Sequence, residues 1–386
     1  GTTHPTCRHC GADLEMTLVD LGLSPLANSY VDPAKVDKPD PVYPLHARVC
    51  TECWLVQVDD VVPAEEIFST DYAYFSSFSD SWLAHCRDYV EKMVNRFDLG
   101  PDDLVIEIAS NDGYLLQYFV EKGIPVLGIE PSGNVAAAAQ ERGVRTLVDY
   151  FGEALARKVA ATEKPPALIA SANVLAHVPD INDFVAGIAT LLTGDAVYTV
   201  EFPHLLNLTK QVQFDTIYHE HFSYLALGTV EQIFQSFGLR IFDVEELSTH
   251  GGSLRIFATH AEAEGHAPTE RLEKVRADEK AGKLDVLETY PAFDASVKAT
   301  KRALLKFLIT AQEEGKTVVI PFHDKVKRRY ANSIKDECIE INNLEIFEYC
   351  EERISNKLQK PKLKASMSHY PVFYWKGKIS VQFESN

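Results

Sequence analysis

The chain has 386 residues, 46% of them hydrophobic and 24% charged, with a formal net charge of −18. That length calls for two or three domains, and the composition excludes a disordered chain. So acidic a field repels a phosphate backbone, so no nucleic-acid partner is expected. No run of about 18 apolar residues occurs, so no membrane partner is expected. The stretch GTTHPTCRHC lacks a basic-then-apolar signal pattern, and the expected compartment is the cytoplasm. Charge and glycine are unevenly spread. Residues 321–386 hold 12 Lys+Arg against 9 Asp+Glu, a balance of +3, which leaves −21 for residues 1–320. Gly377 is the one glycine beyond residue 320.

Four of the seven cysteines form two knuckles, Cys7-x2-Cys10 and Cys50-x2-Cys53. Thiolates at this spacing meet a Zn²⁺ tetrahedrally at about 2.3 Å, and in a cytosolic chain disulfides are the poorer reading. Four cysteines fill the coordination sphere, so the zinc holds structure and takes no part in chemistry. A small zinc-binding domain is expected over residues 1–75. Cys86, without such a partner, falls on the apolar stripe of the next element.

Residues 81–97 repeat Trp82, Cys86, Tyr89, Val90, Met93 and Phe97 at helical spacing, with Ser79 or Asp80 as cap. Short apolar runs then alternate with helical ones. Strands are predicted at 103–109, 125–130, 145–148, 166–173 and 196–202, and helices at 113–123, 134–143, 152–161 and 182–192. This is an α/β chain, a doubly wound parallel sheet. After a helix at 228–237, strands 239–247 and 251–260 follow in succession, separated by a turn of three residues. Such a hairpin closes the parallel sheet with one antiparallel edge strand. Seven strands so arranged resemble the Rossmann-like sheet of S-adenosylmethionine-dependent methyltransferases, expected here over residues 76–260.

The segment EIASNDGYLL leaves the first strand and opens the first helix. Gly113 permits a tight turn against a ligand, but G-x-G-x-x-G is absent, so a dinucleotide is disfavoured. Glu130 ends the second strand, where a carboxylate accepts from a ribose diol or caps the next turn. The candidate cofactor set is Asn111, Asp112, Gly113, Glu130 and Asn173. Further on, YHEHFSY packs Tyr218, His219, Glu220 and His221 into one run. From the residues alone, either histidine is a candidate base, and a His219–His221 metal cluster or a structural turn are the competing readings. His250, in the hairpin turn, is either near the pocket or there for the turn.

A charged helical stretch is expected at 268–314 and a strand at 316–320. No glycine turn follows it. Residues 324–358 read as one or two amphipathic helices, Lys325, Lys327, Arg328 and Arg329 as a solvated or diphosphate-facing cluster, and 370–383 as a hairpin.

Together, CRHC…CTEC, EIASNDG, GIEPS, NVLAHVPD and FDTIYHEHFSYL resemble the family of S-adenosylmethionine-dependent sugar C-methyltransferases over about residues 5–319. Within that family they are most similar to the C-3′-methyltransferases of tetronitrose biosynthesis. The resemblance implies S-adenosylmethionine and Zn²⁺ as cofactors, a thymidine-diphosphate-linked 3-amino-4-keto deoxysugar as substrate, and a role in antibiotic sugar biosynthesis. It implies His221 as the base that takes the C-3′ proton. Glu220, orienting His221 or binding the 3-amino group, joins Tyr218, His177 and Tyr72 around the sugar; Tyr74 competes with Tyr72 for its role. It also implies a C-terminal domain, 261–386, from whose pattern 320–386 departs. The alternatives are a zinc-containing nicotinamide oxidoreductase and a catalytically disabled zinc- and cofactor-binding protein.

Overall fold

A computed structural model describes residues 5–27, 41–63 and 75–314, with two short strands at 317–318 and 381–382. The N-terminal part holds three antiparallel strands, β1 (Met16–Ser24), β2 (Tyr43–Val49) and β3 (Val56–Val58). The first two lie between the cysteine knuckles and form the small fold that the long spacing requires.

The central sheet contains β4 (Val105–Ile108), β5 (Val126–Ile129), β6 (Thr146–Leu147), β7 (Leu168–Ala172) and β8 (Val197–Pro203), all parallel. A two-residue strand, β9 (Ser223–Tyr224), leaves this part of the chain and pairs antiparallel with β3, extending the N-terminal sheet to four strands. The YHEHFSY run is thus the seam between the two sheets. β10 (Leu239–Leu247) and β11 (Ser253–His260) complete the seven strands, in the order β10-β11-β8-β7-β4-β5-β6.

The expected hairpin is present, but its antiparallel strand is not at the edge. β11 pairs antiparallel with both β8 and β10, so β10 is the edge strand and runs with the others. Burial explains the order: Ser253 to Thr259 of β11 are all buried, whereas β10 ends on the exposed Glu246. The more apolar strand takes the inner place.

Nine helices are described: α1 (Asp80–Phe97), α2 (Leu116–Glu121), α3 (Gly133–Glu141), α4 (Glu153–Thr162), α5 (Ile181–Leu191), α6 (Leu205–Gln211), α7 (Leu227–Ser236), α8 (Glu270–Ala281) and α9 (Thr289–Glu313). Ser79 caps α1 by accepting from the Trp82 amide at 3.3 Å. α2 starts three residues later than its apolar run predicts, because the chain is still turning at Gly113, whose φ is +76°. α6 was not expected; its seven residues are too few for a legible period. The expected charged helical stretch is α8 and α9.

One face of the sheet packs Ile106, Ile108, Leu127 and Ile169 against α4, α5 and α7; the other packs Val105, Val126 and Leu168 against α1, α2 and α3. Cys86 lies in this second core, as its stripe implies. Each fully buried Leu, Ile or Phe contributes about 1.5–3 kcal/mol. α9 returns to the N-terminal sheet, where Tyr290 stacks on Trp54 at 6.4 Å and Phe293 and Val297 join its core.

Of the last expected strand, Thr317–Val318 is described and pairs parallel with Val381–Gln382. The expected helices at 324–358, the basic cluster and the rest of the 370–383 hairpin lie outside the described residues.

Candidate active site

Ligands of such a sheet gather beyond the carboxyl ends of its strands. After β4 the backbone enters the left-handed region at Ala109, Asn111 and Gly113. A Cβ on Gly113 would lie 3.0 Å from Val144 Cγ2 and 3.2 Å from Ala139 Cβ, so both the turn and the packing require glycine. Glu130, buried at the end of β5, accepts from the Ser132 amide at 2.8 Å and from the Asn111 amide at 3.0 Å. It therefore caps its own turn and ties the β4 loop to it. Burial raises its pKa. The Ser132 side chain also bonds this carboxylate, which leaves one of its four lone-pair sites for a ribose hydroxyl.

Asp112 is fully buried, held by Arg142 Nη1 at 3.0 Å and by the Ser77 hydroxyl, while its Oδ1 has no hydrogen-bond partner among the described residues. Asn111 Oδ1 accepts from the Ser76 amide at 2.9 Å. Asn173 ends β7 in the left-handed region, its amide donating to the Glu201 carbonyl at 2.8 Å. Glu107 was missed in the sequence. Its carboxyl is fully buried in β4 beside the Tyr114 phenol, and burial pushes its pKa well above the usual range. A carboxylate inside the buried run VIEI was the available signal, since a central parallel strand otherwise reads as continuously apolar. The partnerless Asp112 Oδ1, the left-handed loop and the Glu130 carboxylate suit a polar cofactor with a ribose and an amino-acid end.

The second group of residues is an imidazole cluster. His221 Nε2 lies 2.8 Å from the Tyr218 hydroxyl and its Nδ1 3.0 Å from the Thr216 carbonyl. Its ring meets that of His177 edge-on at 4.6 Å, and His177 bonds the Glu220 main chain. The Tyr218 amide donates to the Tyr224 hydroxyl at 3.2 Å. Burial, helped by His177 and His250, lowers the His221 pKa well below its ordinary value; burial lowers that of His177 to about 4. Both rings are held neutral.

His219 faces the other way. Its Nε2 lies 3.0 Å from the Pro44 carbonyl of β2, and its ring meets Tyr43 edge-on. A turn at His219–Glu220, closed by the His221 amide donating to the Tyr218 carbonyl at 3.1 Å, separates the two rings, so that His221 joins the cluster and His219 faces the N-terminal sheet. Glu220 is buried between them. His250 turns the hairpin at φ +51° and acts electrostatically on His221. Its ring meets Trp82 at 5.6 Å, and Trp82 stacks on His85 at 4.9 Å. Tyr72 and Tyr74 lie outside the described residues.

The four knuckle cysteines place their Sγ atoms within 4.8 Å of one another, with Cys7–Cys53 at 3.5 Å and Cys10–Cys50 at 3.4 Å. Four sulfurs about 2.3 Å from one centre require such separations, so the donor set fits Zn²⁺.

A seven-stranded sheet with one inserted antiparallel strand, a polar loop at its carboxyl edge and a separate four-thiolate centre fit a zinc-containing methyltransferase. Three family models match successive parts of the chain: "Putative zinc binding domain" at residues 7–68, "Methyltransferase domain" at 82–244 and "C-methyltransferase C-terminal domain" at 248–320. C-methyltransferase NovU of Streptomyces niveus is 34% identical over 312 residues, 81% of this chain and 74% of that protein. The chain belongs to the family of S-adenosylmethionine-dependent C-methyltransferases, with a zinc-binding N-terminal domain. Among solved structures, magnesium protoporphyrin IX methyltransferase from Synechocystis PCC 6803 aligns at 17% identity and a TM-score of 0.37, over 46% of this chain and 83% of that one. The PH0226 protein of Pyrococcus horikoshii OT3 aligns at 14% and 0.40, over 51% and 97%. Among the described residues, no helix is long and apolar enough to cross a membrane.

Proposed function

We propose that this C-methyltransferase acts at C-3′ of a thymidine-diphosphate-linked 3-amino-4-keto deoxysugar, with His221 as the base. The observation that carries the reading is the pairing of a neutral, half-buried imidazole with a phenol, His221 Nε2 to Tyr218 at 2.8 Å. Carbon methylation needs a nucleophilic carbon, and a C–H next to a ketone becomes one on losing its proton. The substrate C–H displaces the Tyr218 hydroxyl from Nε2. The proton passes to Nε2, the electron pair moves into the ketone as an enolate, and the Thr216 carbonyl stabilises the imidazolium through Nδ1–H. A positioned base of this kind contributes roughly 10²–10⁴-fold.

Tyr218, once displaced, is the donor for the enolate oxygen, and His177, whose N–H goes to the Glu220 main chain, lines the sugar site as an acceptor. Glu220 is assigned to orienting His221 or binding the 3-amino group, and Tyr72 to covering the sugar. Asn111, Asp112, Gly113, Glu130 and Asn173 would hold S-adenosylmethionine, which when bound supplies an electrophilic methyl group. Cys7, Cys10, Cys50 and Cys53 would hold the zinc away from the chemistry. The division into 1–75, 76–260 and 261–386, and a cytoplasmic place of work in deoxysugar and antibiotic biosynthesis, belong to the same reading.

The test is incubation of the purified chain with S-adenosylmethionine and the thymidine-diphosphate 3-amino-4-keto sugar. The product should carry one new methyl group on C-3′. Methylation at another carbon, or on oxygen or nitrogen, would replace this assignment.

A further inference from the structure

The Arg8 side chain joins the zinc knuckle to both segments of the imidazole cluster. Arg8 lies between the ligands Cys7 and Cys10, and its side chain is 9% exposed. Its Nη2 donates to the Val58 carbonyl of β3 at 2.8 Å, and its Nη1 to the Pro179 carbonyl at 3.3 Å, two residues after His177. The guanidinium carbon stands 4.9 Å from the centre of the Phe222 ring, the residue after His221. The Arg8 amide donates to Gln57 Oε1 at 2.9 Å, and Gln57 Nε2 donates to Cys7 Sγ at 3.4 Å. Next to it, Asn182 of α5 bonds the His9 ring at 2.8 Å and the His9 carbonyl at 2.9 Å.

His177 and His221 sit on segments from different parts of the chain, 44 positions apart by residue number, with rings 4.6 Å apart. Their spacing therefore depends on what joins the two segments from outside. A planar fork with several fixed donors can brace two carbonyls and stack on a ring at once, whereas a lysine ammonium is a point charge on a flexible stem. Metal bonds on both flanks fix the backbone that carries this fork.

We infer that Arg8 is a positioning residue: held by the zinc knuckle, it sets the spacing of His177 and His221 and so couples metal loading to the geometry of methyl transfer. This rests on the reading of His221 as the base. It gives the zinc site a role in the reaction through structure, without contact with substrate.

The experiment uses the full zinc-loaded chain with its histidines labelled at Cε1, comparing wild type, Arg8→Gln and Arg8→Lys. Zinc content is measured by mass spectrometry and S-adenosylmethionine affinity by calorimetry. The expected result is a ring–ring NOE between His177 and His221 in wild type that is lost in Arg8→Gln, with zinc and cofactor affinity retained. With the sugar substrate, kcat should fall by about 10²-fold, the scale set by a 1 Å misplacement, while KM for S-adenosylmethionine holds. Should Arg8→Gln lose its metal, Arg8→Lys, which keeps the charge and lacks the fork, carries the same comparison. An unchanged NOE in zinc-loaded variants overturns the inference. If wild type shows the NOE but does not methylate the sugar, the substrate assignment fails and Arg8 is still judged by its own spectrum.

Discussion

The two ring nitrogens of His221 face partners of opposite character. The Thr216 carbonyl at 3.0 Å can only accept, so Nδ1 carries the hydrogen; Nε2 then accepts from the Tyr218 hydroxyl at 2.8 Å. In the proposed reaction Tyr218 covers the basic lone pair until substrate arrives and then donates to the enolate oxygen. Tyr218→Phe removes that donor, and steady-state kinetics should show kcat reduced by about 10²–10³-fold. Unchanged kcat would leave Tyr218 as a packing residue.

The neutral rings set a pH dependence. His177 and His221 both have folded pKa values below the ordinary 6.5, His177 at about 4. Between the folded and unfolded values, the unfolded chain binds the extra proton, so stability falls as pH drops below about 6.5, by at most ~1.4 kcal/mol per pH unit for each histidine. The groups facing His221 are His177, His250, Tyr218 and Tyr224. None of these is a carboxylate that would raise its pKa. Urea titrations from pH 7 downward should show this slope, and His177→Asn should reduce it. The acid limb of kcat should also lie below pH 6.5.

Glu130 holds two loops together through the Asn111 and Ser132 amides. Glu130→Ala should weaken S-adenosylmethionine by about tenfold or more, the worth of roughly one charge-assisted hydrogen bond. Calorimetry measures this directly, and an unchanged dissociation constant would remove the ribose contact.

Cys50 is fully buried with its Sγ 3.4 Å from Cys10 Sγ. Cys50→Ser should lower zinc content below one equivalent and cost ~2 kcal/mol or more, roughly 4–8 °C in melting temperature. A full equivalent of metal with unchanged melting would refute the ligand set.

Much of this was legible because the signals were local. Each knuckle pair declares itself within four residues, and the βα alternation is written in apolar runs broken by glycines such as Gly123 and Gly143. The position of β11 was not, because strand order is decided by which strand buries more surface, a comparison across the whole sheet. Glu107 was hidden by its setting: one acid in an apolar strand looks like a strand residue until its burial is known. The choice between His219 and His221 needed the pairing of β9 with β3, which fixes the side of the run that faces Pro44. Arg8 gave no local signal; its meaning lies in contacts to residues 50 and 171 positions away.

The central claim is that His221 takes a proton from carbon. It is tested most directly in D₂O, with the keto sugar and S-adenosylhomocysteine in place of the methyl donor. The account predicts that wild type exchanges the C-3′ hydrogen for deuterium and that His221→Asn, with unchanged cofactor affinity, does not. Exchange at the wild-type rate in His221→Asn would contradict it.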